Sequence, residues 1–178
     1  ISRLSRDTLA GWNLISSVRL EHASENFKPL ETFRNIEFNR DWNLGNTTYV
    51  GQENAGGISL TVSKPGQQIT YQFRTFIKGT DYTGLMNSLL TRVTIARFRL
   101  AVDGSYLSSS SPLINTGFIR SASDLSRPVG GIIVGARYEQ ERNRLMNADN
   151  DSLQSNSFSF DAGKFYIRSA DTAKVKFR

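Results

Sequence analysis

The side chains that most often catalyse reactions or bind metals are few in this chain. Its 178 residues include one histidine and no cysteine. A site built from several histidines or thiolates is therefore excluded, and a hydrolytic triad would have to use His22. His22 follows Glu21 at the predicted end of a strand, and no serine has the sequence context of a nucleophile elbow. We therefore expect His22 to have a structural role.

Two carboxylates have a spacing that glycoside hydrolysis could use. Glu139 and Glu141 lie two residues apart, so an extended strand places them on one face. Arg137 shares that face, and a charged wet surface explains all three residues without catalysis. The segment 149–151 offers oxygen ligands for calcium but lacks the glycine and the terminal glutamate of an EF-hand. We therefore predict no catalytic residue, no metal site, no cofactor and no enzymatic activity.

The net charge of +6 raises the question of a nucleic-acid partner. Basic residues alternate with aromatic ones between Tyr71 and Lys78, as in a stacking platform for single strands. However, lysine and arginine are spread over most of the predicted strands and alternate with acids, so nucleic acid is not the expected partner. No run of about 18 apolar residues is present, which excludes a transmembrane helix.

The stretch from Leu89 to Leu107 organises the structural prediction. From Ala96 onward, apolar and polar residues alternate with a period of two, with Arg97 and Arg99 on either side of Phe98. This period is typical of a strand with one apolar and one polar face. Before Ala96 the phase is reversed, which predicts a β-bulge or a strand whose halves face different environments. We expect one unusually long strand here.

The same alternation predicts further strands, over 12–22, 58–63, 69–78, 114–122, 129–141, 157–161, 164–168 and 174–178. A proline–glycine turn at 64–67 joins two of them in a β-hairpin. The segments 1–11, 42–57, 79–88, 108–112 and 143–156 are predicted to be a lead-in or loops, and a helical turn is allowed after Pro29. About eight strands with short connections predict one all-β domain over 1–178 with antiparallel pairing.

The alternation of apolar and polar side chains fits two architectures, and the sequence leaves both open. In an outer-membrane-type β-barrel, or a segment of one, the apolar face meets lipid and the polar face lines the lumen. In a soluble β-sandwich or barrel the apolar face points inward. Tyr106 and Tyr138, near predicted strand ends, suit an aromatic girdle. The charges predicted to line a lumen or a wet surface are Arg97, Arg99, Arg137, Glu139 and Glu141.

Three stretches suggest a family. Phe27 to Leu44, Ile69 to Leu89 and Ala136 to Phe177 resemble recurring stretches of very large, little-characterised outer-membrane or cell-envelope β-rich proteins of Bacteroidota. The resemblance covers most of the chain from Trp12 on. It implies the outer membrane or surface of a Gram-negative bacterium, with the lipid bilayer or other envelope proteins as partners. Because those proteins are far longer and this chain begins at Ile1, we expect a fragment of a longer chain.

Three triplets of the type Asp-Ser/Thr-aliphatic agree with this resemblance. They are similar to the O-glycosylation acceptor pattern of exported Bacteroidota proteins, and each precedes a predicted strand. The acceptors would be Thr8, Ser152 and Thr172. Such triplets also form turns, because Asp, Ser and Thr side chains bond to the local backbone.

The leading functional hypothesis is therefore a non-enzymatic structural or transport-type β protein of the outer membrane or cell envelope. The alternative is a soluble β-sandwich module that binds surface glycan or another envelope protein. Its binding residues would be exposed aromatics, namely Trp12, Trp42, Tyr49 and Tyr82.

Overall fold

A computed structural model describes residues 2–9, 11–25, 36–44, 51–112, 114–147 and 158–169. These residues form nine β-strands and one short helix. The elements are β1 (Ser2–Leu9), β2 (Trp12–Ala23), α1 (Ile36–Asp41), β3 (Glu53–Lys64), β4 (Gln67–Lys78), β5 (Tyr82–Ile95), β6 (Phe98–Ser110), β7 (Ile114–Val129), β8 (Ile132–Asn147) and β9 (Phe158–Ser169).

The nine strands form one antiparallel sheet in which each strand pairs with its neighbours in sequence. The all-β, antiparallel prediction is thus confirmed. The sheet is open, because β1 pairs only with β2 and β9 only with β8 among the described residues. The described strands contain no second sheet, so they do not form a sandwich.

The two ends of the sheet are connected differently. Four hairpins, β1–β2, β3–β4, β5–β6 and β7–β8, close through two-residue turns, and antiparallel order places all four at the same end. At the opposite end the chain passes from one hairpin to the next, after Ala23, Lys78, Ser110 and Asn147. We call these the turn end and the loop end.

From the second hairpin on, the hairpins are also staggered along the strand direction, whereas β2 and β3 end level, with Asn13 paired with Ser63. Gln67, the first residue of β4, pairs with Val93, so β5 runs two residues further toward the turn end. Arg99 pairs with Ser126, and β7 continues to Val129. Such a stagger accompanies strand tilt, and barrel closure requires both.

The predicted long strand around Ala96 is wrong, because the chain reverses there. Ala96 and Arg97 form the turn between β5 and β6, with φ of 48° and 71°. Positive φ at both central positions matches a type I′ hairpin turn, although glycine or asparagine usually occupies it. The phase reversal in the sequence therefore marks a turn rather than a bulge. Arg97 belongs to no strand face.

Several predicted boundaries also change. The predicted lead-in contains β1, and the predicted loops at 79–88 and 143–156 overlap β5 and β8. The two short strands predicted within 157–168 are one strand, β9. The helix α1 begins at Ile36, after Pro29, which lies outside the described residues, as does the predicted strand 174–178. The hairpin at 64–67 and the strand at 12–22 are confirmed.

One face of the sheet carries most of the large apolar side chains, and we call it the apolar face. The register of the strands places every large exposed hydrophobic residue on it except Ile114 and Phe160. Typical members are Leu60, Leu100 and Val134, which are 39–42% exposed. No described element packs over this face.

The opposite face, which we call the polar face, contains the buried cluster. Polar and charged side chains dominate along most of it, yet Phe76, Tyr82, Met86, Leu107 and Phe118 project from it and are buried. Residues of α1 and the segment that follows it cover these side chains. The only apolar cluster in the described part of the chain therefore lies on the polar face.

Candidate functional site

The aromatic cluster fixes α1 on the polar face near the loop end. The ring of Phe76 lies 5.1 Å from that of Phe38 and 5.6 Å from that of Trp42, measured between centroids. The Tyr82 hydroxyl donates a hydrogen bond to the backbone carbonyl of Trp42. A Cβ at Gly84 would lie 2.8 Å from the Trp42 ring, so only glycine allows this close approach.

An ion-pair network provides a second attachment. Arg120 on β7 donates from Nε to Glu141 Oε1 at 2.8 Å, across the β7–β8 register. Its Nη1 lies 3.2 Å from Asp41 Oδ1, at the end of α1. One guanidinium therefore joins two strands to the helix. All three side chains are partly exposed, so each pair contributes modestly to stability.

Four of the five predicted wet-face charges lie on the polar face. Glu141 pairs with Arg120, and Glu139 pairs with Arg137 beside it on β8. Arg99 lies on the same face near the turn end and is exposed. Placing Arg97 with them was wrong, because it lies in the β5–β6 turn.

Two cavities lie on the polar face on either side of one arginine, Arg74. The first measures about 330 Å³ and lies beneath α1; its lining includes Ser17, Ser59, Gln72, Phe38 and Trp42. The second measures about 410 Å³ and extends toward β6 and β7; its lining includes Asp41, Ser88, Asp103, Ser105 and Arg120. Arg74 and Gln72 line both cavities.

The side chain of Arg74 is poorly satisfied. Its Nε is buried without a hydrogen-bond partner, and its Nη2 donates to the thioether sulfur of Met86 at 2.8 Å. A thioether is a weak acceptor. The guanidinium also lies 6.0 Å from the centre of the Trp42 ring. No carboxylate of the described residues forms an ion pair with it.

The residues considered for catalysis have ordinary structural partners. His22 Nδ1 lies 2.8 Å from Asn54 Oδ1 in an exposed pair between β2 and β3. Glu139 and Glu141 are each engaged by an arginine. Within the described ranges, no group of three or more His, Cys, Asp or Glu residues is arranged to hold a metal. The calcium candidate at 149–151 lies outside those ranges.

The structure describes only some of the predicted O-glycosylation acceptors and of the aromatics considered for glycan binding. Thr8 lies within β1, paired with Asn13, rather than in a stretch before a strand. Ser152 and Thr172 lie outside the described residues. The aromatics considered for glycan binding are not all exposed, because Trp42 and Tyr82 are only 3% and 2% exposed. Trp12 lies under the Lys64 ammonium, 4.3 Å from its ring centre, and Tyr49 is not among the described residues.

The proposed stacking platform at 71–78 is divided between the two faces. Tyr71 and Phe73 project from the apolar face, whereas Arg74, Phe76 and Lys78 project from the polar face. Lys78 is paired with Glu53 at 2.9 Å. The basic and aromatic residues therefore do not form one surface for nucleotide bases.

Sequence reasoning did not single out Arg74. In the sequence it is one of several basic residues in the polar phase of a strand, and nothing distinguishes it from Lys78. The spacing of Phe38 and Trp42, four residues apart, was the one local signal for an aromatic helix face.

No helix among the described residues is long and apolar enough to cross a membrane. Comparison with family models, with curated proteins and with solved structures gave no match.

Proposed function

We propose that this chain is a non-enzymatic structural or transport-type β protein of the outer membrane or cell envelope. Its apolar face contacts lipid, and its polar face lines a water-filled space. One observation carries this proposal: the large apolar side chains are exposed on one face, while the buried cluster lies on the opposite, polar face. A soluble sheet protein buries its apolar face instead.

The height of the apolar region suits a bilayer. On β6 the apolar face is apolar from Phe98 to Tyr106, apart from Gly104, and then continues with Ser108 and Ser110. Nine residues of strand span about 30 Å. At the tilt of about 40° that is usual for membrane barrels, this corresponds to about 23 Å, close to the apolar band of roughly 25 Å in such proteins.

The connections support the same proposal. Outer-membrane barrels have short turns at one rim and longer loops at the other, and their strands pair in sequence order. The strands of this sheet pair in sequence order. Two residues separate the strands at each connection of the turn end, whereas the loop end has two separations of three residues and two longer ones, of 10 and 29 residues. The stagger of the hairpins is the register shift that closure needs. Because nine strands form an open sheet, the proposal is a segment of a barrel.

The apolar face becomes polar toward the loop end, which indicates where a lipid band would end along the strands. Toward the loop end, β8 carries Gln140, Arg142 and Arg144 on this face, after Ile132, Val134 and Tyr138 nearer the turns. Strand residues beyond the lipid band can be polar on their outer face. Tyr138 and Tyr106 then mark the border between apolar and polar zones, as an aromatic girdle would. The resemblance of three stretches of this chain to envelope proteins of Bacteroidota agrees with this proposal.

The alternative, a soluble sandwich that binds glycan through exposed aromatics, has weaker support. It needs a second sheet over the apolar face, and two of its four aromatics are buried in the cluster under α1. An envelope protein covering the apolar face in place of lipid is the competing outcome that an experiment must separate from the proposal.

Vesicle flotation tests the proposal. The full chain is folded in detergent, mixed with phosphatidylcholine vesicles and centrifuged through a density gradient. We expect the chain to float with the vesicles and to remain there after a high-pH wash. A chain that stays folded and monodisperse in aqueous buffer, without detergent and without vesicles, would contradict the proposal.

A further inference from the structure

Arg74 differs from the other arginines of the polar face that lie away from the turn end. Arg19 is paired with Glu21, Arg120 with Glu141, and Arg137 with Glu139. Arg74 has no carboxylate partner among the described residues, although it is half-buried and its Nε is fully covered. Leaving a buried charged donor without an acceptor costs more than the average hydrogen bond contributes.

The surroundings of Arg74 offer little compensation. The carboxylates that line the same cavities are Glu21, Asp41 and Asp103. Glu21 and Asp41 are already paired with arginines, and Asp103 makes no ion pair with Arg74. The Met86 sulfur and the Trp42 ring are weak partners for a guanidinium. A positive charge at the meeting point of two cavities is thus left for an external anion.

The first cavity has the size and the lining of a small-ligand site. Its volume of about 330 Å³ lies at the lower end of the range for ligand pockets. The hydroxyls of Ser17 and Ser59 and the amide of Gln72 line it from the sheet, while Phe38 and Trp42 line it from the helix side. Hydrogen-bonding groups facing aromatic rings suit a hydroxylated ring compound that has polar edges and an apolar face.

We propose that this cavity binds a small hydroxylated carboxylate, of the size of an acidic monosaccharide, with Arg74 as the anion-binding residue. The carboxylate accepts hydrogen bonds from the terminal nitrogens of Arg74 in a bidentate, charge-assisted pair. Ser17, Ser59 and Gln72 bond to the ligand hydroxyls. Arg19 also lines this cavity, but it is paired with Glu21. The one guanidinium left, that of Arg74, matches one carboxylate charge, whereas a phosphate dianion would call for a second cation. The site does not depend on what covers the apolar face.

Binding can be followed through Trp42. The chain has two tryptophans, so Trp12→Phe leaves Trp42 as the sole indole, next to Arg74. In this background, D-glucuronate is titrated against the folded full chain, with D-glucose, acetate and inorganic phosphate as matched probes. We expect a saturable change in Trp42 emission with glucuronate. The protein should bind glucose, acetate and phosphate each at least about tenfold more weakly than glucuronate. Glucose lacks the carboxylate, acetate lacks the hydroxylated ring, and phosphate lacks both.

Variants separate the two parts of the site. Arg74→Gln should lower glucuronate affinity by about tenfold or more, and Arg74→Lys by a smaller factor, because lysine keeps the charge but loses the planar fork. Ser59→Ala should weaken glucuronate without changing acetate. Arg99→Gln, on the same face but outside both cavities, should change neither.

Any one of the following results would overturn the proposal. They are equal affinity for glucose and glucuronate, equal effects of Arg74→Gln and Arg99→Gln, and the absence of any saturable emission change at millimolar glucuronate. Phosphate binding as tightly as glucuronate would reject a carboxylate as the ligand class.

Circular dichroism in the β region verifies folding of each variant. If Arg74→Gln does not fold, the comparison is made with Arg74→Lys and Ser59→Ala. Failure here leaves the flotation result unaffected, because that result concerns the opposite face.

Discussion

The two faces of this sheet are made from the same strands but obey opposite rules of burial. On the apolar face, aliphatic and aromatic side chains such as Leu89 and Tyr106 remain more than 40% exposed. On the polar face, Phe76 and Leu107 are 1% exposed because α1 and the segment after it lie over them. The difference teaches that apolar content alone does not locate the core. Burial depends on which face another element covers.

The comparison also separates two kinds of stabilisation. The polar face is held by a compact aromatic cluster and by cross-strand ion pairs. No described element packs over the apolar face, so its contribution depends on what surrounds it. Transfer of such side chains out of water contributes about 25 cal/mol per Å² of apolar surface. The medium, whether lipid or water, therefore decides whether the open sheet is stable.

The largest expected effect is on the polar face. Phe76→Ala removes the ring at the centre of the cluster under α1, and loss of a buried phenylalanine costs about 3–5 kcal/mol. The matched change on the apolar face, Leu60→Ala, should cost about 1 kcal/mol, because that side chain is already 41% exposed. Denaturant unfolding in the same detergent measures both. Equal costs would show that the apolar face has a packed partner.

A charge placed on the apolar face comes next. Val102→Arg puts a cation in the middle of the apolar region of β6 and should cost about 2–4 kcal/mol in a bilayer. Ser108→Arg lies on the same face and strand, beyond that region, and should cost at most about 1 kcal/mol. Unfolding from lipid vesicles measures both. If both substitutions are tolerated equally, the apolar region does not lie at bilayer depth.

The two-residue turn between β5 and β6 can be stabilised by a substitution. Arg97 has a φ of 71°, which glycine adopts without strain. Arg97→Gly should raise the free energy of unfolding by about 1 kcal/mol. The control Arg99→Gly, two residues further in β6, should lower it, since glycine weakens a strand interior. The opposite order of the two effects would contradict the turn.

The smallest effect concerns the ion pair that joins α1 to the sheet. Asp41→Asn removes one partner of Arg120, and pairs with this exposure contribute less than about 1 kcal/mol. The more sensitive measurement is hydrogen exchange of the Trp42 amide, which bonds to the Phe38 carbonyl in α1. It should exchange faster in Asp41→Asn. Glu139→Gln, which removes the partner of Arg137 on β8 outside the cluster under α1, should leave that amide unchanged.

The local pattern predicted the strands well where alternation was uninterrupted. Trp12–Ala23 and the hairpin of β3 and β4 follow from period-two spacing and from the Pro65-Gly66 turn. The prediction was wrong at Ala96 because neither turn residue is glycine, asparagine or aspartate, the usual signals of positive φ. A two-residue turn inverts the phase as a bulge would, so spacing could not separate the two.

The local sequence pattern could not predict the candidate site, for a different reason. Arg74, Arg120 and Arg137 all occupy the polar phase of a strand and look equivalent in the sequence. Whether an arginine has a carboxylate partner depends on strand register and on where α1 packs. Both involve residues far apart along the chain, such as Asp41 with Arg120.

The amino-acid sequence by itself determined that this chain forms antiparallel strands with one apolar and one polar face, because side chains alternate sides along any extended backbone. Only the tertiary structure decided which face is covered, where the chain turns at Ala96, and that no carboxylate of the described residues pairs with Arg74. Alternation is identical whether the apolar side points inward or outward, and it contains no information about which distant segment packs over it.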